Sequence, residues 1–182
     1  PNIAFDKVIS WEAPKGPWRQ MYFIERQASW YADVLNEDAT EMFLQLTHKR
    51  YQAELEKSGG KIADSIHGFY TDEPAMHYFE VAKDNYIIPW SSCMFRIFQD
   101  HNGYSLLHHL PKLFYDFGGD TAQVRYDFWS ALTKQYEKNY FQKIGDWCAE
   151  HDLFFTGHLL FEEWPRLHAR TGGNLFKCLR HM

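Results

Sequence analysis

What the chain lacks narrows its chemistry first. Its 182 residues contain only three cysteines, Cys93, Cys148 and Cys178, far apart and never as a CxxC pair. They build neither a disulfide framework nor a zinc knuckle, and an odd count leaves at least one thiol free. There is no HExxH, and the adjacent rings of His108 and His109 leave a helix in different directions, so no metal site is expected. The chain has no GxSxG elbow, phosphate loop or dinucleotide fingerprint. A serine nucleophile and a nucleotide cofactor are therefore not expected either, and no cofactor is assigned. Lys and Arg form no run and the formal net charge is −5, which argues against nucleic acid as a partner. The apolar runs are too short to cross a bilayer, so no membrane partner is expected. Pro1 comes first, with no signal peptide in view, which says nothing about secretion.

What is abundant is aromatic area: 18% of residues, as seven Trp, eleven Tyr and fifteen Phe. Such a load suits sugar recognition, where flat rings stack on pyranose faces, and equally a thick α/β core. One stretch organises the rest, Ile66-His67-Gly68-Phe69-Tyr70-Thr71-Asp72-Glu73-Pro74. It starts as a β-prone run and stops in two acids and a proline that cannot donate to a sheet ladder. Asp72 and Glu73 are thereby placed at a strand's C-terminal end, where α/β proteins gather their chemistry. The alternative is a solvated acidic loop.

Taken in order, β-branched and aromatic residues predict strands near 18–24, 64–71, 86–89 and 153–160, with a short extended piece at Trp30–Leu35. Helices are predicted near 38–57, 92–100 and 120–150. The first is expected to be capped by Asp38 with Glu41, and to bury Met42 and Phe43. The last is expected to be capped by Asp120 with Gln123. Strands alternating with helices imply α/β architecture with parallel strands. A second strand also ends in acids, at Glu162-Glu163-Trp164-Pro165, so parallel pairing would bring both acidic ends to one rim.

Glycoside hydrolysis needs two carboxyl groups about a scissile bond, one an acid and one a base or nucleophile. Glu73 is the first candidate, with Asp72 beside it. Glu162 and Glu163 are candidates for the second carboxylate, and strand alternation would let one of them face the cleft. Either could instead be a surface charge. His158, four residues before Glu162, is placed on the same strand face to bond substrate or a carboxylate; the alternative is a satisfied core histidine. Trp90 and Tyr104 are candidate sugar platforms or, alternatively, core.

The stretches Gly68–Pro74, Ile88-Pro89-Trp90, Gly103-Tyr104-Ser105-Leu106 with Leu110-Pro111-Lys112-Leu113, and Thr156-Gly157-His158 followed by Glu162-Glu163 together resemble the barrel region of bacterial glycoside hydrolases. The likeness is to the α-L-rhamnosidase type and the β-galactosidase-like superfamily, and runs from about residue 30 onward. It implies a (β/α)8 TIM-barrel-like fold, with Glu73 matching the acid/base Glu of an Asn-Glu-Pro motif, and Asp72 standing where the family has Asn. It also implies a plant or microbial polysaccharide or oligosaccharide as substrate, and a secreted or periplasmic location. In the retaining members the nucleophile lies on a later strand, so Glu162 and Glu163 would then shape the sugar site. A full barrel takes about 250 residues, so the 182 residues read as an incomplete barrel or fragment, one domain completed by more chain or by a second chain. The rival reading is a catalytically inactive carbohydrate-binding remnant of such a barrel. An unrelated α/β metallohydrolase comes third.

Overall fold

The computed structural model describes residues 12–26, 32–76 and 87–182. Among them the order is helix α1 (Glu37–Leu46), α2 (His48–Lys57), strand β1 (Gly68–Asp72), α3 (Met94–Asn102), α4 (Leu110–Phe114), α5 (Thr121–Tyr136), α6 (Lys143–Glu150), strand β2 (Phe154–His158), α7 (Pro165–Thr171) and α8 (Leu175–Leu179). β1 and β2 pair in parallel, Gly68 opposite Phe154 and Asp72 opposite His158. They make a two-stranded sheet. The described residues thus hold a parallel strand pair with helices against it, and no closed barrel.

The longest helical run follows its sequence pattern. Val124, Phe128, Leu132, Tyr136, Ile144, Trp147 and Cys148 are all buried, at a spacing that keeps one stripe facing the core. The run does not stay α-helical throughout. A π-helical turn over Glu137–Gln142 joins α5 to α6, and it puts Glu137 and Asn139 into the interior. Glu137 is met there by Arg180 and by His181 at 3.2 Å. Asn139 donates to the Val34 carbonyl at 2.7 Å. Asp120 starts α5 without a side-chain cap bond, because its carboxylate is taken by Lys112 at 2.6 Å.

The first helix differs more. Its cap is Asn36, whose side chain accepts from the Asp38 N–H at 3.0 Å, and two acids in the first turn complement the helix dipole. The predicted single helix breaks at Thr47. There the hydroxyl donates to the Phe43 carbonyl at 2.6 Å, and the backbone leaves helical geometry with φ −117° and ψ −86°. Thr40 and Leu44 turn inward. Met42, expected to be buried, is 53% exposed, and Phe43 lies at the margin, 36% exposed and packed on His48 and Tyr140.

Two expected strands do not form. Residues 18–24 are irregular, and their side chains make other contacts instead: the Trp18 indole donates to the Pro14 carbonyl at 2.5 Å, Arg19 lies over the Tyr115 ring, and Phe23 packs on Phe114. Residues 87–89 are irregular too, with Pro89 unable to donate to a ladder; residue 86 lies outside the described residues. So do residues 30 and 31 of the expected extended piece, while Asp33–Asn36 is a turn closed by the Asn36 N–H on the Asp33 carbonyl at 3.0 Å.

The sheet has two unlike faces. Phe69, Thr71 and Phe155 point at the helices. Phe69 stacks on the buried His48 at 3.8 Å, Thr71 shares a hydrogen bond with the Tyr140 hydroxyl at 2.9 Å, and Phe155 packs against Phe141. Gly68, Tyr70, Asp72, Phe154, Thr156 and His158 alternate onto the other face. Among the described residues that face is largely uncovered: Tyr70 is 64% exposed and Phe154 77%. Glycine permits the close pairing. A Cβ on Gly157 would land on the Thr71 carbonyl oxygen, and one on Gly68 on the Phe154 carbonyl oxygen.

Candidate functional site

The parallel register brings the two acidic strand ends together. β1 stops at Asp72, and the chain then turns at Glu73, whose φ of 48° lies in the left-handed region. A residue with a side chain adopts that conformation at some cost, which its surroundings must offset. Two hydrogen bonds anchor the turn. The Glu73 N–H donates to the His158 carbonyl at 3.1 Å, and the buried Tyr136 hydroxyl donates to the Pro74 carbonyl at 2.7 Å. Glu73 is half-buried and Pro74 buried.

Across the register, His158 Nε2 lies 2.6 Å from Asp72 Oδ1. Its Nδ1 lies 3.8 Å from Glu162 Oε1. The Asp72 bond raises the imidazole pKa above its ordinary value; desolvation opposes this, and the charges of Asp72, Glu162 and Glu73 reinforce it. In its protonated form the ring donates to Asp72 and sits amid acids on both strand ends. The pair is exposed, with side chains 37% and 77% accessible, so its effect is orientation more than stability.

Glu162 and Glu163 lie beyond the strand, contrary to the expectation that β2 runs to 160. β2 ends at His158, and the chain turns through Phe161, which has a φ of 60°. Glu162 meets His158 because of this turn, not through strand alternation. Its other carboxylate oxygen, Oε2, accepts the Leu159 N–H at 3.0 Å, so Glu162 caps the strand end while facing the imidazole. Glu163 is exposed.

The two expected platforms are built into the helical layer. Trp90 is half-buried, lies parallel to Phe128 and edge-on to Phe95. Tyr104 packs edge-on against Phe98 and His109, and its hydroxyl donates to Asp127 at 2.7 Å. Burial and that acceptor together push the Tyr104 pKa upward. The rings that do stand near the acids are others. Tyr70 has its ring centroid 6.1 Å from that of His158. Trp164, 62% exposed, lies parallel to Phe161 on the turn that carries Glu162 and Glu163. Tyr70 could have been found from strand parity alone, since it sits two residues before Asp72 and must share its face.

The site therefore combines Asp72, Glu73, Glu162 and Glu163 with one imidazole, beside an aromatic sheet face. Among the described residues, no group of three or more His, Cys, Asp and Glu side chains is arranged to hold a metal ion, and no helix is long and apolar enough to cross a membrane. Comparison with protein-family models, with curated proteins and with solved structures finds no match.

Proposed function

We propose that this chain is part of a glycoside hydrolase of barrel type, acting on an O-glycosidic bond of a polysaccharide or oligosaccharide. The observation that carries the reading is the register of β1 on β2, which sets Asp72–Glu73 and His158–Glu162 at the same end of a parallel sheet. Paired carboxyl chemistry at strand C-terminal ends needs that arrangement. Glu73 is assigned as general acid, on a backbone held by Pro74 and the His158 carbonyl. Asp72 and His158 form the sugar-facing hydrogen-bonding pair, and Glu162 holds the imidazole from behind. Glu163 is the remaining carboxylate open to substrate.

The barrel part of the proposal rests on the bare sheet face. Parallel sheets are ordinarily covered on both sides, and here Tyr70 and Phe154 look outward with nothing described over them. In a closed (β/α)8 sheet that face would be the barrel interior, and the acids would ring its mouth.

Glu73→Gln keeps the side-chain shape and removes the proton. In the active, complete enzyme, turnover on natural oligosaccharides, whose leaving groups need protonation, should fall by about 10²–10⁴, the usual scale of acid–base assistance. Aryl glycosides with activated leaving groups should suffer less. Unchanged turnover on oligosaccharides would remove Glu73 from the mechanism.

A second reading is a carbohydrate-binding barrel remnant without catalysis. It is favoured by one observation: Asp72 and Glu162 already have protein partners in His158 and the Leu159 N–H. Oligosaccharide binding with no release of sugar from any aryl glycoside, once the chain is joined to whatever completes the sheet, would establish it.

A further inference from the structure

We infer that the open trough between α5 and the α7–α8 corner binds a small anionic aromatic molecule, a flat ring system bearing a carboxylate or a phosphate. This site is separate from the acidic strand ends, and it does not depend on the glycosidase reading.

The trough has a volume of about 740 Å³, within the range of small-molecule sites. One wall is a single stripe of α5. Tyr126, Trp129, Ser130 and Thr133 line it, at i, i+3, i+4 and i+7, the spacing of one helix face. Two contacts fix what stands at each end of that stripe. At its start the Arg125 guanidinium donates to the Lys112 carbonyl at 2.7 Å, which lays α4 and its Leu113 alongside. At its end Gly173 lies so close to Thr133 that a Cβ there would land on the threonine hydroxyl. That contact brings in the α7–α8 corner with Arg170, Asn174 and Lys177. Character therefore runs from aliphatic area and rings, through two hydroxyls, to an amide and two cations.

A ligand with a ring at one end and an anion at the other has the same order. Tyr126 is 69% exposed and Trp129 half-buried, so both have ring area to offer. Charge decides the polar end. No carboxylate is among the described residues that line the trough, although the chain as a whole carries a formal net charge of −5. The positive field extends to His101, whose ring lies 3.2 Å from the Ser130 hydroxyl. Its pKa is lowered, by desolvation first and then by the charges of Lys134 and Lys177, against the opposing charge of Asp127. The Asp127 carboxylate is itself taken up by the Tyr104 hydroxyl at 2.7 Å and the Gln123 amide at 2.8 Å. A guanidinium and an ammonium at one end of such a trough suit the oxygens of a carboxylate or phosphate.

The test is isothermal titration calorimetry on the chain with 2-naphthyl phosphate and 2-naphthoate. The comparisons are 2-naphthylmethanol, a ring without charge, and inorganic phosphate, an anion without a ring. At low salt at least one naphthyl anion should bind, and the tighter of the two identifies the anion. The neutral ring and inorganic phosphate should each bind more weakly by about tenfold or more. Tyr126→Ala should weaken the anion by about three- to tenfold, the scale of one aromatic contact. Lys177→Glu reverses an exposed charge and should weaken it about tenfold at low salt. Lys57→Glu, the same change of charge on α2, should leave it unaltered. Binding of neither anion, equal binding of 2-naphthylmethanol, or wild-type affinity in Lys177→Glu would overturn the proposal. Glu73→Gln should bind the naphthyl anion as the wild type does, so failure of this site and failure of the glycosidase reading are told apart.

Discussion

His48 and His158 show how location decides what one residue type does. His48 is buried between Phe69 and Trp147, and desolvation lowers its pKa to about 4, so it stays neutral and serves as a flat packing element. His158 stands at an exposed rim, where Asp72 raises its pKa. The sign of the linkage follows. A raised histidine pKa stabilises the fold fully below the unfolded value, near 6.5, and the contribution is lost as pH rises through the folded value. The Asp72→Asn variant should therefore bring the His158 titration midpoint down toward 6.5 and remove that pH-dependent contribution. An NMR titration of the imidazole protons measures both; a midpoint unmoved by Asp72→Asn would mean that the 2.6 Å contact does not govern this ring. Sequence showed Asp72 and Glu73 as candidates because a strand stopped by Pro74 announces its own end, and His158 because of its spacing from Glu162. It could not show which aromatic rings face them. Trp90 and Tyr104 stood beside Pro and Gly breaks, but only the packing of α3 and α5 shows that they are used inside the helical layer.

At the scale of elements, periodicity served well where one face is buried against the rest of the chain. The α5–α6 stripe was legible from Val124 to Cys148 for that reason, although the π-turn over Glu137–Gln142 left no mark on the spacing. In α1, Met42 carries the same helical spacing yet lies outward, and Phe43 stays partly exposed. Spacing says that residues share a face and not what covers it. Composition alone suggests strands at 18–24 and 87–89 that do not form, since β-prone residues still need a ladder partner. β1 and β2 have one, and Gly157 lets them approach. Gly157→Ala would force a Cβ onto the Thr71 carbonyl, so it should destabilise the fold by about 1–3 kcal/mol, the range for overpacking. It should also separate Asp72 from His158 across the register. Gly60→Ala is the comparison, since there an added Cβ meets nothing nearer than 3.8 Å and the effect should be small. Urea unfolding of both variants reads the difference; equal stabilities would show that the strands relax apart at little cost.

At the scale of the whole molecule, the question is how far the sheet extends, and backbone parity makes it testable. The Phe154 N–H donates to the His67 carbonyl, and the Glu73 N–H to the His158 carbonyl. In a parallel ladder both backbone groups of a residue point to the same side, alternating along the strand. Phe69, Thr71 and Glu73 therefore turn their amides toward β2, while Tyr70 and Asp72 turn theirs to the outer edge of β1, where no described strand lies. Unpaired strand edges are normally covered. Hydrogen exchange on the chain alone should therefore show Thr71 and Glu73 protected and Tyr70 and Asp72 exchanging much faster, in strict alternation. If β1 and β2 are a sector of a barrel, joining the chain to the segment or partner that completes the sheet should slow Tyr70 and Asp72 to the level of their neighbours. Equal protection of alternate amides in the chain alone would mean that another strand already lies along β1. Fast exchange at Tyr70 and Asp72 in the completed assembly would mean that β1 is a true edge, and the barrel reading would fall with it.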